Sequence, residues 1–315
     1  MITHFDELPH GIRADEFWRE SWYLNFFDHS QELYGIAWLG VRPNVQHGEV
    51  LFAIGKGNRF LHMYEEFDIP IAADIGRERS GFGPLRFQVV EPYKRWSVSF
   101  SDGAATAELQ WEAATPVYNW EWQDSARSWH YQHPGRVWGT IAVGDERFQF
   151  DGLGERDRGW GRRDNSYFTA NHWITAQFPS GLTFEGMALP VEGENQLYGF
   201  AQRDGDSSLL REMRVSPRYA FPGGPPVAAT IEAHDQSGRS FELRQELMNV
   251  ITMIQSAGGQ ESRQYFTFNR YECDGERGYG MMDHWWSDFA VLDDSYLCRE
   301  PNRGRLGAVG DPPAA

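Results

Sequence analysis

A rhythm limits what this chain can fold into: short runs alternate apolar and polar residues, and turns bearing glycine break them. The clearest run holds Ala105, Ala107, Leu109, Trp111 and Ala113, with more polar neighbours between them. A period of two gives a strand one buried face. Leu33 to Val41, Glu49 to Ile54, Leu85 to Glu91, Trp96 to Ser101 and Gln264 to Tyr271 read as further strands. Val137 to Val143 and Glu146 to Phe150 read as a hairpin about Gly144-Asp145. Tyr167 to Gln177 and Leu182 to Leu189 repeat that style, as do Gln196 to Arg203 and Ser207 to Val215, and Val227 to Asp235 and Ser240 to Val250. One short helix is expected over Asp15 to Trp22. Sustained antiparallel hairpins specify an all-β protein, and closing them into barrels removes exposed edges.

The 315 residues are long for one core and suit two domains. No internal repeat is visible, so two barrels rest on length and strand number. The expected division is 1–165 and 166–315. Aromatic residues make up 15% of the chain, which fits strands and can also line a ligand cavity. The formal charge of -16, with no basic tract, argues against a nucleic-acid partner. No stretch approaches the ~20 apolar residues of a membrane helix. The opening Met-Ile-Thr-His-Phe-Asp-Glu lacks a basic region followed by an apolar run, so a cytoplasmic protein without a signal peptide is expected. Cys273 and Cys298 are expected to be reduced and partly buried.

The densest chemistry lies in Gly152-Leu153-Gly154-Glu155-Arg156-Asp157-Arg158-Gly159-Trp160-Gly161-Arg162-Arg163-Asp164. Such a segment suits an acid or anion site at the rim of a scaffold. On a regular strand Glu155 and Asp157 share a face, although the glycines argue against regularity. Asp157 stands between Arg156 and Arg158, as an anchored base or as a salt-bridge partner. Trp160 is a pocket wall or a core residue. A second cluster is Met281-Met282-Asp283-His284-Trp285-Trp286. On a strand Asp283 and Trp285 share one face, and His284 and Trp286 the other. An acid beside tryptophan can protonate or deprotonate an apolar ligand. A third is Trp129-His130-Tyr131-Gln132-His133. Its two histidines face opposite sides of a strand, which argues against a shared metal. His130 is a candidate base or hydrogen-bond donor, and Trp22 a further aromatic contact. Gly-x-Ser-x-Gly, a phosphate loop and the dinucleotide fingerprint do not occur, so neither a cofactor nor a metal is expected.

These segments resemble a known group. His130 to Gly139 and Gly152 to Asp164, with Glu20-Ser21-Trp22-Tyr23 and Gly278 to Asp283, are similar to the two-barrel, lipocalin-like superfamily of carotenoid 1,2-hydratases and AttH-like domain proteins. Its central segment commonly reads Gly-x-Arg-Asp-His-Ser-Trp-Gly-x-Arg-Asp. Arg156, Asp157, Trp160, Gly161, Arg163 and Asp164 match, whereas Arg158 and Gly159 replace the usual His and Ser. The resemblance implies two packed lipocalin-like antiparallel barrels. It also implies a cofactor-independent lyase or isomerase: a hydratase, dehydratase or cyclase acting on an isoprenoid-like or polycyclic substrate. Asp157 and Asp283 would be the acid-base residues, with His130 assisting. Trp22, Arg156, Trp160, Arg163, Asp164, His284 and Trp285 would contact substrate. A carbohydrate-active enzyme with paired carboxylates and a non-catalytic carrier of lipids stand as alternatives. The expected partner is an apolar small molecule, with no membrane insertion, and a homodimer is one admissible assembly.

Overall fold

The computed structural model describes residues 4–10, 17–71, 79–120, 128–162, 170–191, 194–257, 260–287, 296–299, 302 and 304–307. The chain forms two compact units, one of residues 1–163 with 307–315 and one of residues 164–306. Both are built from antiparallel strands. No helix among the described residues is long and apolar enough to cross a membrane.

In the first unit the strands are β1 (Trp18–Asp28), β2 (Leu33–Arg42), β3 (His47–Lys56), β4 (Arg59–Pro70), β5 (Arg79–Phe82), β6 (Leu85–Glu91), β7 (Arg95–Ser101), β8 (Ala105–Ala113), β9 (Val117–Trp120), β10 (Ser128–Val143) and β11 (Glu146–Arg162). They pair in the order β4-β3-β2-β1-β11-β10-β8-β7-β6-β5, a nearly closed barrel, with β9 added along β10. Trp22, Leu24 and Phe26 of β1, Phe52 and Ile54 of β3, Trp96 and Phe100 of β7, Trp111 of β8 and Phe150 of β11 fill its core. All have the same parity along their strands, so one face of the sheet is apolar.

The second unit contains β12 (Ala170–Gln177), β13 (Thr183–Val191), β14 (Glu194–Arg203), β15 (Asp206–Tyr219), β16 (Pro226–Asp235), β17 (Ser240–Ala257), β18 (Gln260–Cys273), β19 (Glu276–Ser287) and β20 (Tyr296–Arg299). Here β14 pairs with both β13 and β15, which closes the path into a ring. Closure satisfies the edge N–H and C=O groups that an open sheet would leave unpaired. Ile174, Phe184, Leu197, Met213, Ile231, Leu243 and Met282 form the core inside the ring. Cys273 and Cys298 are buried free thiols.

The all-β expectation holds, and the hairpin about Gly144-Asp145 forms with Val143 opposite Glu146. Two expectations are corrected. The part of the expected helix from Trp18 to Trp22 is strand, because β1 is hydrogen-bonded on one side to β2 and on the other to β11. That double ladder overrides a weak local helical pattern. The Gly152 to Arg162 segment is no irregular rim loop either, but the second half of a 17-residue strand. Its first glycines serve close approach rather than a turn. A Cβ on Gly152 would lie 2.0 Å from the Phe27 carbonyl oxygen, and one on Gly154 2.3 Å from that of Asn25.

Candidate functional site

Strict alternation along β11 deals its charged residues onto opposite faces. Arg156, Arg158 and Trp160 have the parity of Phe150 and point to the core face, whereas Glu155 and Asp157 point outward. Arg156 and Arg158 are therefore on the far side of the sheet from Asp157. Their carboxylate partners come from elsewhere. Arg156 Nη1 donates to Glu7 Oε1 at 2.8 Å, and Arg158 Nη2 pairs with Glu20 Oε2. The sequence sets Asp157 between Arg156 and Arg158, and the pleat turns both arginines to the opposite face.

The core-face charges are closely packed. Glu7 also accepts from the Tyr131 hydroxyl and, at 2.6 Å, from Trp96 Nε1. The Arg156 guanidinium lies 4.2 Å from the Trp96 ring and 4.6 Å from the Trp111 ring. His133 Nε2 donates to the Thr115 carbonyl at 2.7 Å, leaving Nδ1 to accept from Arg156 Nη2 at 3.3 Å. Burial and then the Arg156 charge push His133 down to about 3, so it stays neutral. Trp22 lies 3.9 Å from the Arg158 guanidinium, and His10 stacks on Trp160 at 4.8 Å. Arg158 occupies the position where the resembling sequences carry a histidine, and here it is an ion-pair partner.

Burial raises Glu20, but the Arg158 charge and His10 outweigh it and bring the carboxyl down to about 2. A carboxyl depressed on folding contributes stability that is present above its ordinary value of 4.5 and is lost as pH falls through about 2. Glu20→Gln is accordingly expected to flatten the acid limb of the melting temperature between pH 5 and pH 2. An acid limb as steep as that of the unmodified protein would show that another group sets it.

On the outer face, His130 and Asp157 come together, with Nε2 and Oδ2 3.8 Å apart and both side chains buried. The His130 ring lies 4.2 Å from that of Trp120. His130 and His133 do face opposite sides of β10.

In the second unit β19 splits its cluster in the same way. His284 shares the parity of Met282 and points into the barrel. There its Nδ1 is 3.0 Å from Nδ1 of His172, and its ring lies 4.5 Å from that of Trp286. Burial holds His172 down to about 3, and burial followed by the His172 neighbour holds His284 well below its usual range. Asp283 and Trp285 point outward. Across the ladders Asp283 stands opposite Trp173 on β12 and Phe266 on β18, so aromatic side chains flank it on both sides. Gln264 Nε2 donates to Asp283 Oδ2 at 2.7 Å, while Oδ1 is buried with no hydrogen-bond partner among the described residues. Burial, only partly offset by Gln264, raises this carboxyl to about 7. A carboxyl half protonated at neutral pH can act as acid and as base.

The structure thus brings His130 to Asp157 within the first unit and sets Trp285 on the face of Asp283 within the second. It separates Trp22, Arg156 and Trp160 from Asp157, and His284 from Asp283, by a sheet. Arg163 and Asp164 lie outside the described residues. Sequence reasoning missed Glu7, Glu20 and Tyr131 as partners of the arginines, and Trp173, Gln264 and His172 as neighbours of the β19 residues. Single isolated residues carry no local signal of a partner that lies 19 to 149 positions away.

Comparison with solved structures shows the two-barrel, lipocalin-like fold. A candidate AttH from Nitrosomonas europaea superposes with a TM-score of 0.64 at 13% identity, covering 87% of this chain and 96% of that one. CghA crystallised with Sch210972 gives 0.63 at 12%, covering 87% and 90%. Kievitone hydratase from Nectria haematococca gives 0.61 at 11%, covering 91% and 95%. The resemblance to the AttH-like group therefore holds as a likeness of fold. No curated protein matches the sequence significantly. Residues 3–288 match the family described as Domain of unknown function (DUF7064), and the chain belongs to that family.

Proposed function

We propose that this protein is a cofactor-independent lyase or isomerase that adds or removes water, or cyclises, an apolar isoprenoid-like or polycyclic substrate. The observation that carries the proposal is Asp283: a buried carboxyl between Trp173 and Phe266, raised to about 7, with one oxygen unengaged among the described residues. Protonating an alkene or a departing hydroxyl needs an acid still protonated near neutral pH. The negative faces of aromatic rings favour the positive charge that follows, which is the role proposed for the tryptophans near Asp283. The resulting carboxylate then takes a proton back or directs water. Within the first unit, His130 with Asp157 is proposed as a second acid-base pair. Likeness of fold to a protein named kievitone hydratase supports hydration as the reaction class.

The test is incubation with a panel of isoprenoid and polycyclic alkenes and alcohols in heavy-oxygen water, followed by mass spectrometry. A product carrying the heavy oxygen is the expected result for a hydratase, and a dehydrated or cyclised product for the other members of the class. A molecule bound tightly yet recovered unchanged would replace this proposal with the carrier.

A further inference from the structure

In the second unit the strands β12 to β19 close an eight-membered ring, a size whose interior is either packed solid or keeps room for one small molecule. The two ends of this interior differ. Toward Phe241 and Cys273 it is apolar core. Toward the other end the inward-facing side chains are Tyr265 and Thr267 of β18, His172 of β12, and His284 and Trp286 of β19. Beyond them the inward-facing positions of β17 and β18 run out into solvent. Thr252, Arg263 and Ile254 are exposed there, Ile254 by 63%. An isoleucine of inward parity standing in solvent marks a mouth rather than a filled core.

The tip of the β15–β16 hairpin bends over this mouth. The Ala220 N–H donates to the Pro225 carbonyl at 3.0 Å and the Gly224 N–H to the Phe221 carbonyl at 2.8 Å, which closes the tip. Its Gly223 carbonyl accepts from the Tyr265 hydroxyl at 2.9 Å. The Tyr219 ring lies 5.4 Å from that of His284 and 5.0 Å from that of Trp286, with its hydroxyl 3.5 Å from His172 Nε2. Because β15 stands across the ring from β19, these contacts span the interior. Phe221 at the tip leaves 54% of its surface in solvent.

Beneath the tip, polar atoms are buried with nothing to bond. His284 Nδ1 faces His172 Nδ1 at 3.0 Å, and the ring also donates to the Asn171 backbone. Its Nε2 has no hydrogen-bond partner among the described residues, and neither has Nε1 of Trp286. The two rings are 4.5 Å apart and nearly perpendicular. Deeper in, Gln245 Oε1 is likewise without a partner among the described residues. A neutral imidazole that donates from Nδ1 offers a lone pair at Nε2, whereas an indole Nε1 only donates. Buried groups of this kind are normally satisfied, and their shortfall calls for an occupant. A carbonyl would serve Trp286 alone, and a carboxylate would meet the His284 lone pair. A hydroxyl serves both.

We propose that the interior of the second barrel, beneath the hairpin tip, binds a small apolar molecule through a hydroxyl group that accepts from Trp286 Nε1 and donates to His284 Nε2. The rings of Tyr219, Tyr265 and Trp286 supply the apolar wall. The site lies on the opposite face of β19 from Asp283 and is independent of the acid role assigned to that residue.

The probe is 4-propylphenol, and the control is 4-propylanisole, which keeps the oxygen but has no proton to give. Calorimetric titration of the full chain is expected to show the phenol binding at least about tenfold tighter than the anisole. His284→Phe is expected to abolish that preference, weakening the phenol about tenfold and leaving the anisole unchanged, whereas Trp286→Phe weakens both. In the unmodified protein, bound phenol is expected to slow amide hydrogen exchange in residues 219–224 of the tip. If a variant fails to fold, the phenol preference and the exchange in the unmodified protein decide. The proposal is overturned by equal or undetectable binding of the two probes, by a preference that survives in folded His284→Phe, or by exchange in the tip that the phenol leaves unchanged.

Discussion

Asp283→Asn is expected to lower turnover of the substrate found in the labelling experiment by about 10²–10⁴-fold, the usual worth of a positioned general acid. Asparagine keeps the size and the contact with Gln264 but has no proton to give. The unmodified protein should also lose kcat/KM as pH rises through about 7, because the free carboxyl ionises there. The variant's residual activity should lack that limb. A variant as active as the parent would remove Asp283 from the chemistry.

The same substitution has a stability signature that needs no substrate. Asp283 rises on folding from its ordinary value of 3.8 to about 7. A raised carboxyl contributes stability that is fully present below about pH 4 and is lost as pH rises through about 7. Raising the carboxyl that far corresponds to something on the order of 4 kcal/mol. His172 and His284 act with the opposite sign, since depressed histidines lose stability as pH falls below their usual range. Their contributions cancel in the difference between parent and variant. Asp283→Asn should therefore gain on the parent between pH 4 and pH 7 in urea unfolding. A difference that stays constant with pH would show that the carboxyl titrates as it does in water.

Arg156→Met is expected to cost about 3–5 kcal/mol, because it leaves the buried Glu7 carboxylate without its cation. The side chain also gives up its contacts with the Trp96 and Trp111 rings. Against a typical total of about 5–15 kcal/mol, that is a large share. The double variant Glu7→Leu with Arg156→Met should recover much of the loss, since an apolar pair of similar volume avoids burying charge at all. Urea denaturation of the two single variants and the double variant measures the coupling. Additive losses would show that the two side chains do not depend on each other.

The fold was largely legible because strand periodicity is local. Ala105 to Ala113 shows its buried face in nine consecutive letters, and Gly144-Asp145 marks its own hairpin. The β4 strand escaped notice because Glu65, Glu66 and other exposed residues blur its alternation. The candidate site was legible only in part. The β11 and β19 motifs were visible as unusual compositions, and period two already placed Glu155 with Asp157 and Asp283 with Trp285.

The sequence by itself determined that the chain is all-β and which residues of each strand share a face, because side chains alternate along any extended backbone. Tertiary structure alone decided which face is the core and who meets whom across it. Arg156 finds Glu7 149 residues away, and Asp283 stands between Trp173 and Phe266, through strand order and register. Those pairings arise from closing the sheets, a long-range event that satisfies edge hydrogen bonds and buries apolar faces together. No window of neighbouring residues encodes it. The raised Asp283 carboxyl and the buried arginine pairs follow from that closure, since desolvation depends on what surrounds a charge in space.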